Sequence, residues 1–188
     1  MSDFNKIIAF QKMMPYLNKE QQEKLADTLG MDLQEIERRL VGKNKEDEFV
    51  LILLFMEVCK NITAFDEFDV YGHIDYVVRY GPNKNADYTY EKFKDVIDEI
   101  LRQLIARGKG IELNMAGFKY GLGHPNPTEE ILHRYRELSG EIITIGADGH
   151  APDQIAWDFE KVPGILKAAG FDYFTVFTKR KPEFIPLC

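Results

Sequence analysis

Apolar and polar positions follow two different patterns along the chain. In residues 1–62, N-capping residues and helix-ending glycines predict three helices, over 18–29, 33–40 and 44–62. The third contains the run FVLILLFMEVC, which is apolar on nearly every side. A helix of that kind is buried on most sides or lies in an interface. Residues 1–62 are therefore interpreted as a helical N-terminal region.

From residue 68 onward, short apolar runs alternate with amphipathic stretches. The pattern predicts strands at 68–72, 110–114, 142–146 and 173–178, and helices at 90–108, 127–140 and 153–169, the last broken or kinked at Pro163. Residues 183–187 are expected to form a short tail. Strands separated by helices of this length predict a parallel sheet with right-handed crossovers. Four such strands are too few to close a barrel, so residues 63–188 are interpreted as part of one, in the α/β class.

Composition and charge narrow the possible partners and location. The chain has 188 residues with a formal net charge of −7, which argues against a nucleic-acid or membrane-surface partner. Its longest apolar run, 49–56, is far shorter than the roughly 18 residues of a membrane span. Cys59 and Cys188 are interpreted as a buried thiol and a solvated one, which indicates a reducing, cytoplasmic compartment.

The histidines carry the first candidate chemistry. All four lie in the second region: His73, His124, His133 and His150. His73 directly follows the first predicted strand, and Asp148 and His150 follow the third. Side chains at the ends of such strands face the mouth of a βα barrel, and an Asp-x-His pair offers the mixed oxygen and nitrogen ligands of Zn, Mn or Fe. The alternative is a hydrogen-bonded turn with a solvated histidine. His133, within a charged helix, is interpreted as a surface residue.

Other polar residues lie at the ends of strands or in the loops that follow. Glu112 and Asn114 share one face of a strand, where a buried carboxylate needs a partner, a proton or a metal ion. The alternative is that both residues lie at the solvent-exposed end of the strand. The glycine-rich segment 117–124 leads into a helix start and contains Lys119, which is typical of anion binding. The alternative is a flexible loop. Arg79 could bind phosphate or lie in solvent.

Four linked segments resemble PHP-family histidinol-phosphatases. They are FDVYGHIDYVVRYG (68–81), GIELN (110–114), GLGHPNPTEE (121–130) and ITIGADGH (143–150), followed by the tail FTKRKPEFIP. The resemblance covers about residues 63–188. It implies the C-terminal part of a distorted (β/α)7 barrel with a helical N-terminal extension, and metal-dependent hydrolysis of histidinol phosphate in histidine biosynthesis. The family domain implies a multinuclear cluster of Zn, Mn or Fe.

The resemblance also implies roles for individual residues. His73, Asp148 and His150 match family metal ligands, with a supporting or direct metal role for Glu112 and Asn114. Phosphate or substrate contacts are implied for Arg79, Lys119 and His124. The resemblance implies a small phosphorylated substrate. The uncovered sheet edges of a partial barrel predict that the chain dimerises, associates with a complementing half-domain or aggregates.

Several positions depart from the family pattern. Residues 1–62 contain no histidine, so the His-x-His ligands of the family are not among them, and residues 1–42 do not align. The pair Met115-Ala116 stands where Thr-Ser is common, and Lys119 stands where Arg is common. Two hypotheses follow. The chain is an incomplete histidinol-phosphatase, or it is a non-catalytic remnant that acts as a metal- or phosphate-binding module.

Overall fold

A computed structural model of the chain describes residues 19–20, 23–24, 45–80, 85–86 and 88–188. The chain divides into two compact units, residues 1–50 and 51–188. The second unit thus begins inside the predicted N-terminal region, and the division at residue 62 stays a prediction. The predicted helices 18–29 and 33–40 lie mostly outside the described residues, although the described residues 19–20 and 23–24 are helical.

The described elements follow the predicted alternation closely. In chain order they are α1 (Lys45–Ala64), β1 (Val70–Tyr71), a 3-10 segment (Tyr76–Tyr80), α2 (Tyr90–Ala106), β2 (Gly110–Asn114), α3 (Ala116–Lys119), α4 (Glu129–Glu137), β3 (Ile143–Gly146), two 3-10 segments (Pro152–Gln154 and Phe159–Lys161), α5 (Val162–Ala168), β4 (Tyr173–Thr178) and β5 (Lys181–Pro186). The third predicted helix and the strand 110–114 are confirmed.

Strands β1, β2 and β3 form a parallel sheet in that order, with Tyr71 opposite Ile111 and Ile111 opposite Ile143. The parallel sheet with intervening helices confirms the α/β class. Ile111, Leu113 and Ile143 are fully buried, α2 packs on β2, and α4 packs on α2 and α5. The opposite face of the sheet presents Glu112, which is only partly buried. The helices therefore cover one face, and the polar residues lie on the other.

The C-terminal half of α1 belongs to the second unit and contributes to its core. Phe55 and Ile62 are fully buried, and the Phe55 ring lies 5.7 Å from the Phe93 ring on α2. Burial, reinforced by Glu99, raises the pKa of the Cys59 thiol to about 12, so this thiol is unreactive at neutral pH. Among the described residues, every helix is too short or too polar to cross a membrane.

The predicted helix 153–169 is wrong over its first half. Two 3-10 segments replace that half, and only Val162–Ala168 is α-helical. The backbone of Ala156 and Asp158 is left-handed, with φ of 55° and 57°, which interrupts any continuous helix. Pro163 lies in the first turn of α5, where it needs no amide hydrogen and produces no kink.

The expected tail at 183–187 is also wrong, because residues 183–186 belong to β5 (Lys181–Pro186). Lys179 and Arg180 have φ of 51° and 62°, the left-handed pair that a tight two-residue hairpin turn requires, and β5 pairs antiparallel with β4. Only three of the four expected parallel strands therefore form one parallel ladder. Strand β4 still lies beside β3, where the Ile143 amide donates to Thr175 Oγ1 at 3.1 Å.

Candidate functional site

The carboxyl ends of β1, β2 and β3 lie at one edge of the sheet because the strands are parallel. His73 follows β1, Glu112 and Asn114 lie in the last half of β2, and Asp148 follows β3 by two residues. His73 and Asp148 have φ of 59° and 47°, so both strand exits turn sharply in the left-handed region. Five of the predicted site residues therefore gather at or just beyond this edge, the fifth being His150.

One set of contacts joins His73, Glu112 and Asn114. Asn114 Nδ2 lies 2.9 Å from His73 Nε2 and 3.1 Å from Glu112 Oε2, and His73 Nε2 lies 3.7 Å from Glu112 Oε2. The Asn114 amide oxygen accepts from the Ala116 amide at 2.9 Å, which fixes the orientation of the carboxamide. Its nitrogen therefore donates to His73 Nε2, whose single lone pair accepts this hydrogen bond.

Two glycines make room for the Glu112 carboxylate. A Cβ atom added at Gly146 would lie 2.1 Å from Glu112 Oε1, and one added at Gly72 would lie 3.0 Å from Oε2. Gly146 stands opposite Asn114 in the β2–β3 register. The carboxylate thus lies across the ends of all three strands, in space that a side chain at Gly146 would occupy.

Replacing Gly146 by alanine should displace this carboxylate. The atoms in the way are the ends of the Glu112 and Asn114 side chains, which can turn aside, so we expect a stability loss of at most about 1 kcal/mol. A crystal structure of Gly146→Ala should show Glu112 rotated away from His73. Gly164→Ala is the control, since a Cβ there meets nothing within 4 Å. An unmoved carboxylate in Gly146→Ala would contradict this account.

A second set of contacts lies in the segment after β3. His150 Nδ1 donates to the Asp148 carbonyl oxygen at 2.9 Å, and the same nitrogen lies 3.8 Å from Asp148 Oδ1. Because a carbonyl can only accept, Nδ1 carries the hydrogen and Nε2 has the lone pair. The His150 side chain is 73% exposed, whereas that of Asp148 is 19% exposed. The pair thus presents one carboxylate and one imidazole nitrogen.

Lys119 contacts the same segment from the end of α3. Its Nζ donates to the carbonyl oxygens of Ala147 and Asp148 at 3.3 and 2.7 Å, and to Gln154 Oε1 at 3.2 Å. Gln154 Oε1 also accepts from the His150 amide at 3.1 Å. The Lys119 ammonium therefore lies against the backbone of the Asp-Gly-His turn.

Arg79 is held between two aromatic rings. Its guanidinium carbon lies 4.1 Å from the centre of the Tyr76 ring and 4.0 Å from that of Tyr120. The Tyr76 ring in turn lies 4.8 Å from the His73 ring. A planar cation stacked on both faces is held in one orientation, and its position next to Tyr76 brings it toward His73.

His124 lies near a buried carboxylate on the same side of the unit. Asp75 is fully buried and accepts from Asn126 Nδ2 at 2.8 Å and from the Thr128 amide at 2.9 Å. Burial raises the pKa of Asp75, and these hydrogen bonds and His124 oppose the rise. His124 Nδ1 donates to the Pro125 carbonyl at 2.6 Å. Its Nε2 is buried and has no hydrogen-bond partner in the described part of the chain.

The structure therefore forms two small donor sets. One joins His73 to Glu112, and the other joins Asp148 to His150. Among residues 45–80, 85–86 and 88–188 and the two short described pieces before them, no three His, Cys, Asp or Glu side chains are close enough together to hold a metal ion. A shared metal for His73, Asp148 and His150 stays a prediction. His133 is exposed on α4 and lies 3.4 Å from Glu137, as a surface residue should.

Sequence reasoning missed several residues of this region. Tyr76 and Tyr120 enclose Arg79, Gln154 bridges Lys119 to His150, and Gly146 makes room for Glu112. Only Gly146 had a usable signal, because a glycine ending a strand beside a polar neighbour indicates a close approach. Gln154 had no such signal, because the pattern places it in the predicted helix 153–169.

Comparison with known proteins relates this chain to one group of enzymes. No family model matches the chain. It is 29% identical over 133 residues to the histidinol-phosphatase of Lactococcus lactis and 36% identical over 115 residues to the probable histidinol-phosphatase of Thermotoga maritima. These matches cover 69% and 61% of this chain, but 47% and 46% of the two relatives. The chain thus spans about half the length of the relatives it matches.

A solved structure extends the same relationship to the fold. Histidinol phosphate phosphatase from Lactococcus lactis, in complex with zinc, L-histidinol and phosphate, superimposes with a TM-score of 0.57 at 26% identity. The superposition covers 69% of this chain and 49% of that one. The two chains therefore share a fold over this part of their length.

Proposed function

We propose that the C-terminal part of this chain, which is related to histidinol-phosphatases, carries part of a PHP-type site for metal-dependent hydrolysis of phosphate monoesters. The observation that carries the proposal is the gathering of His73, Glu112 and Asn114 at the ends of β1 and β2, beside β3, which leads into the Asp148–His150 turn. Residues at that end of a βα sheet are where such folds place their chemistry.

The donor chemistry fits a divalent metal ion. The Nε2 lone pair of His150 is available, whereas His73 Nε2 would exchange its hydrogen bond from Asn114 for the metal ion, and a carboxylate lies beside each imidazole. Such nitrogen and oxygen donors suit Zn, Mn or Fe. We assign His73, Asp148 and His150 as ligands, with Glu112 and Asn114 ligating or orienting them. An ion bound there would supply charge stabilisation to a phosphoryl oxygen.

Phosphate recognition is assigned to the cations around this edge. Arg79, fixed between two rings, offers a planar fork of donors suited to phosphate oxygens. Lys119 adds positive charge beside the Asp148–His150 turn, and His124 lies on the neighbouring loop. The substrate class is a small phosphorylated molecule, with histidinol phosphate as the first to test, since the Lactococcus lactis relative was solved with L-histidinol and phosphate.

Zinc binding tests the metal assignment directly. We expect the chain to bind one zinc ion weakly and His150→Ala to reduce the affinity at least about tenfold, because the turn would lose its imidazole ligand. Titration with a chromophoric zinc chelator measures both affinities. His133→Ala is the matched control, an exposed histidine on α4 that should leave zinc binding unchanged. Equal affinity of His150→Ala and the unmodified chain would refute the assignment.

A second candidate is a metal- or phosphate-binding module without turnover. The observation that favours it is the separation of the donors into two pairs within the described residues, with no larger group that could hold a cluster. Zinc or phosphate binding without hydrolysis would support this module over the enzyme.

A partner chain is also part of the proposal. Among the described strands, β1 pairs with β2 alone, so the sheet has an edge at β1. A complementing half-domain or a second copy of this chain could add a strand there. Sedimentation at several concentrations distinguishes a self-associating chain from a monomer that needs a different partner.

A further inference from the structure

Lys119 has a geometry that differs from that of a side chain waiting for a ligand. Its ammonium is partly buried and lies 2.7–3.3 Å from three acceptors that converge on it, two carbonyl oxygens and the Gln154 carboxamide oxygen. We propose that Lys119 is a positioning residue, which holds the backbone of the Asp148–His150 turn and, through it, the two side chains that the proposed function assigns as metal ligands. The proposal deepens the proposed function and rests on it for the identity of the ligand.

The number of acceptors matches the number of donors. A lysine ammonium has three hydrogens and no lone pair, so three acceptors use its full capacity. All three acceptors belong to the segment 147–154, which follows β3, whereas Lys119 ends the short helix after β2. The Lys119 side chain therefore links the segment that follows β2 to the segment that follows β3.

The hydrogen bonds from Lys119 hold the backbone of the turn. Asp148 has a left-handed φ of 47°, a conformation that Asp adopts more readily than most other residues with a side chain but that contacts from its surroundings help to hold. Its carbonyl oxygen accepts from both Lys119 Nζ and His150 Nδ1, and Gln154 Oε1 accepts from both Lys119 Nζ and the His150 amide. The two acceptors that orient His150 are thus both held by Lys119. Without Lys119, neither acceptor would be held in this position.

The charge of Lys119 makes the two possible roles predict opposite changes in metal affinity when the side chain is replaced. A positive charge beside a metal site repels the metal cation, so removing it should strengthen metal binding if charge were its only contribution. A positioning role predicts the opposite result, because the two ligands would lose their fixed geometry. Losing an outer partner of metal ligands costs about 10- to 100-fold in affinity.

The test compares zinc binding by the full chain with that of Lys119→Met, Lys119→Arg and the control Lys161→Met. Lys161 lies nearby, 4.9 Å from the Phe118 ring, and its carboxylate partner is Asp158 outside the turn. We expect about tenfold weaker zinc binding in Lys119→Met, with partial recovery in Lys119→Arg, whose planar fork meets the three acceptors less well. Lys161→Met should bind zinc at least as tightly as the unmodified chain.

Two further measurements keep the outcomes separate. The cobalt(II) absorption spectrum should differ in shape between Lys119→Met and the unmodified chain, since it reports ligand geometry rather than stability. Amide hydrogen exchange of His150, whose amide donates to Gln154 Oε1, should accelerate in Lys119→Met alone. Faster exchange in a chain that binds no zinc would sustain the positioning role and overturn the metal assignment. Unchanged exchange, or tighter zinc binding by Lys119→Met than by Lys161→Met, would overturn the positioning role.

Discussion

The isolated chain should hydrolyse histidinol phosphate about a thousandfold or more slowly than the full-length Lactococcus lactis relative, at equal zinc or manganese concentration. Hydrolysis of phosphate monoesters is among the slowest uncatalysed reactions, so an enzyme has to supply a very large reduction of the barrier. A metal cluster provides much of that reduction, and this chain offers two separate donor pairs among its described residues, with no histidine in residues 1–62 to extend them. Phosphate release from both proteins gives the comparison.

The decisive control for this assay is His150→Ala. If the slow release comes from trace contaminants, the variant and the unmodified chain will release phosphate equally slowly. Turnover within about tenfold of the relative, and abolished by His150→Ala, would show that the chain forms a complete site, for example between two copies. In that case the turnover should also increase with protein concentration.

Asp75→Ala should lower the free energy of unfolding by about 2–4 kcal/mol. The Asp75 carboxylate accepts from Asn126 Nδ2, from the Thr128 amide and, at 3.5 Å, from the Tyr88 hydroxyl. All of these donors are buried with it and would lose their acceptor, while alanine leaves a void where the carboxylate was. Urea unfolding followed by circular dichroism measures the change in the midpoint and slope.

Two variants show whether the loss comes from those hydrogen bonds. Asp95→Ala removes an exposed carboxylate from α2 and should change stability by less than about 0.5 kcal/mol. Asp75→Asn keeps one acceptor oxygen and the side-chain volume, so its loss should fall between the other two. If Asp75→Ala proves as stable as Asp95→Ala, the buried carboxylate does not hold the loop that contains Asn126 and Thr128.

The sequence predicted the part of the fold that depends on periodicity. The strand 110–114 is short, apolar on alternate positions and bounded by a glycine, and the structure has it at those limits. The polar residues at the ends of strands were predictable for the same reason, because a parallel sheet brings those ends to one edge. The two-residue period of a strand therefore predicts Glu112 and Asn114 as neighbours on one face, and their contact at 3.1 Å agrees with that placement.

The rest depended on tertiary contacts that leave little trace in sequence. Lys179 and Arg180 adopt the left-handed turn that pairs β5 with β4, although neither residue type signals such a turn. Ala156 and Asp158 likewise interrupt a segment whose apolar spacing favours a helix. The hydrogen bond from Lys119 Nζ to the Asp148 carbonyl joins residues 29 positions apart, and sequence spacing does not predict it.

The turn at Arg180 also bears on the order in which the chain folds. Its guanidinium donates to both carboxylate oxygens of Asp69 at 2.9–3.1 Å, linking the last hairpin to the start of β1 across 111 positions. The hairpin itself closes a short loop, whereas the ion pair closes a loop of 111 positions, so the chain loses much more entropy in forming the ion pair. We therefore expect the hairpin to form before Arg180 reaches Asp69.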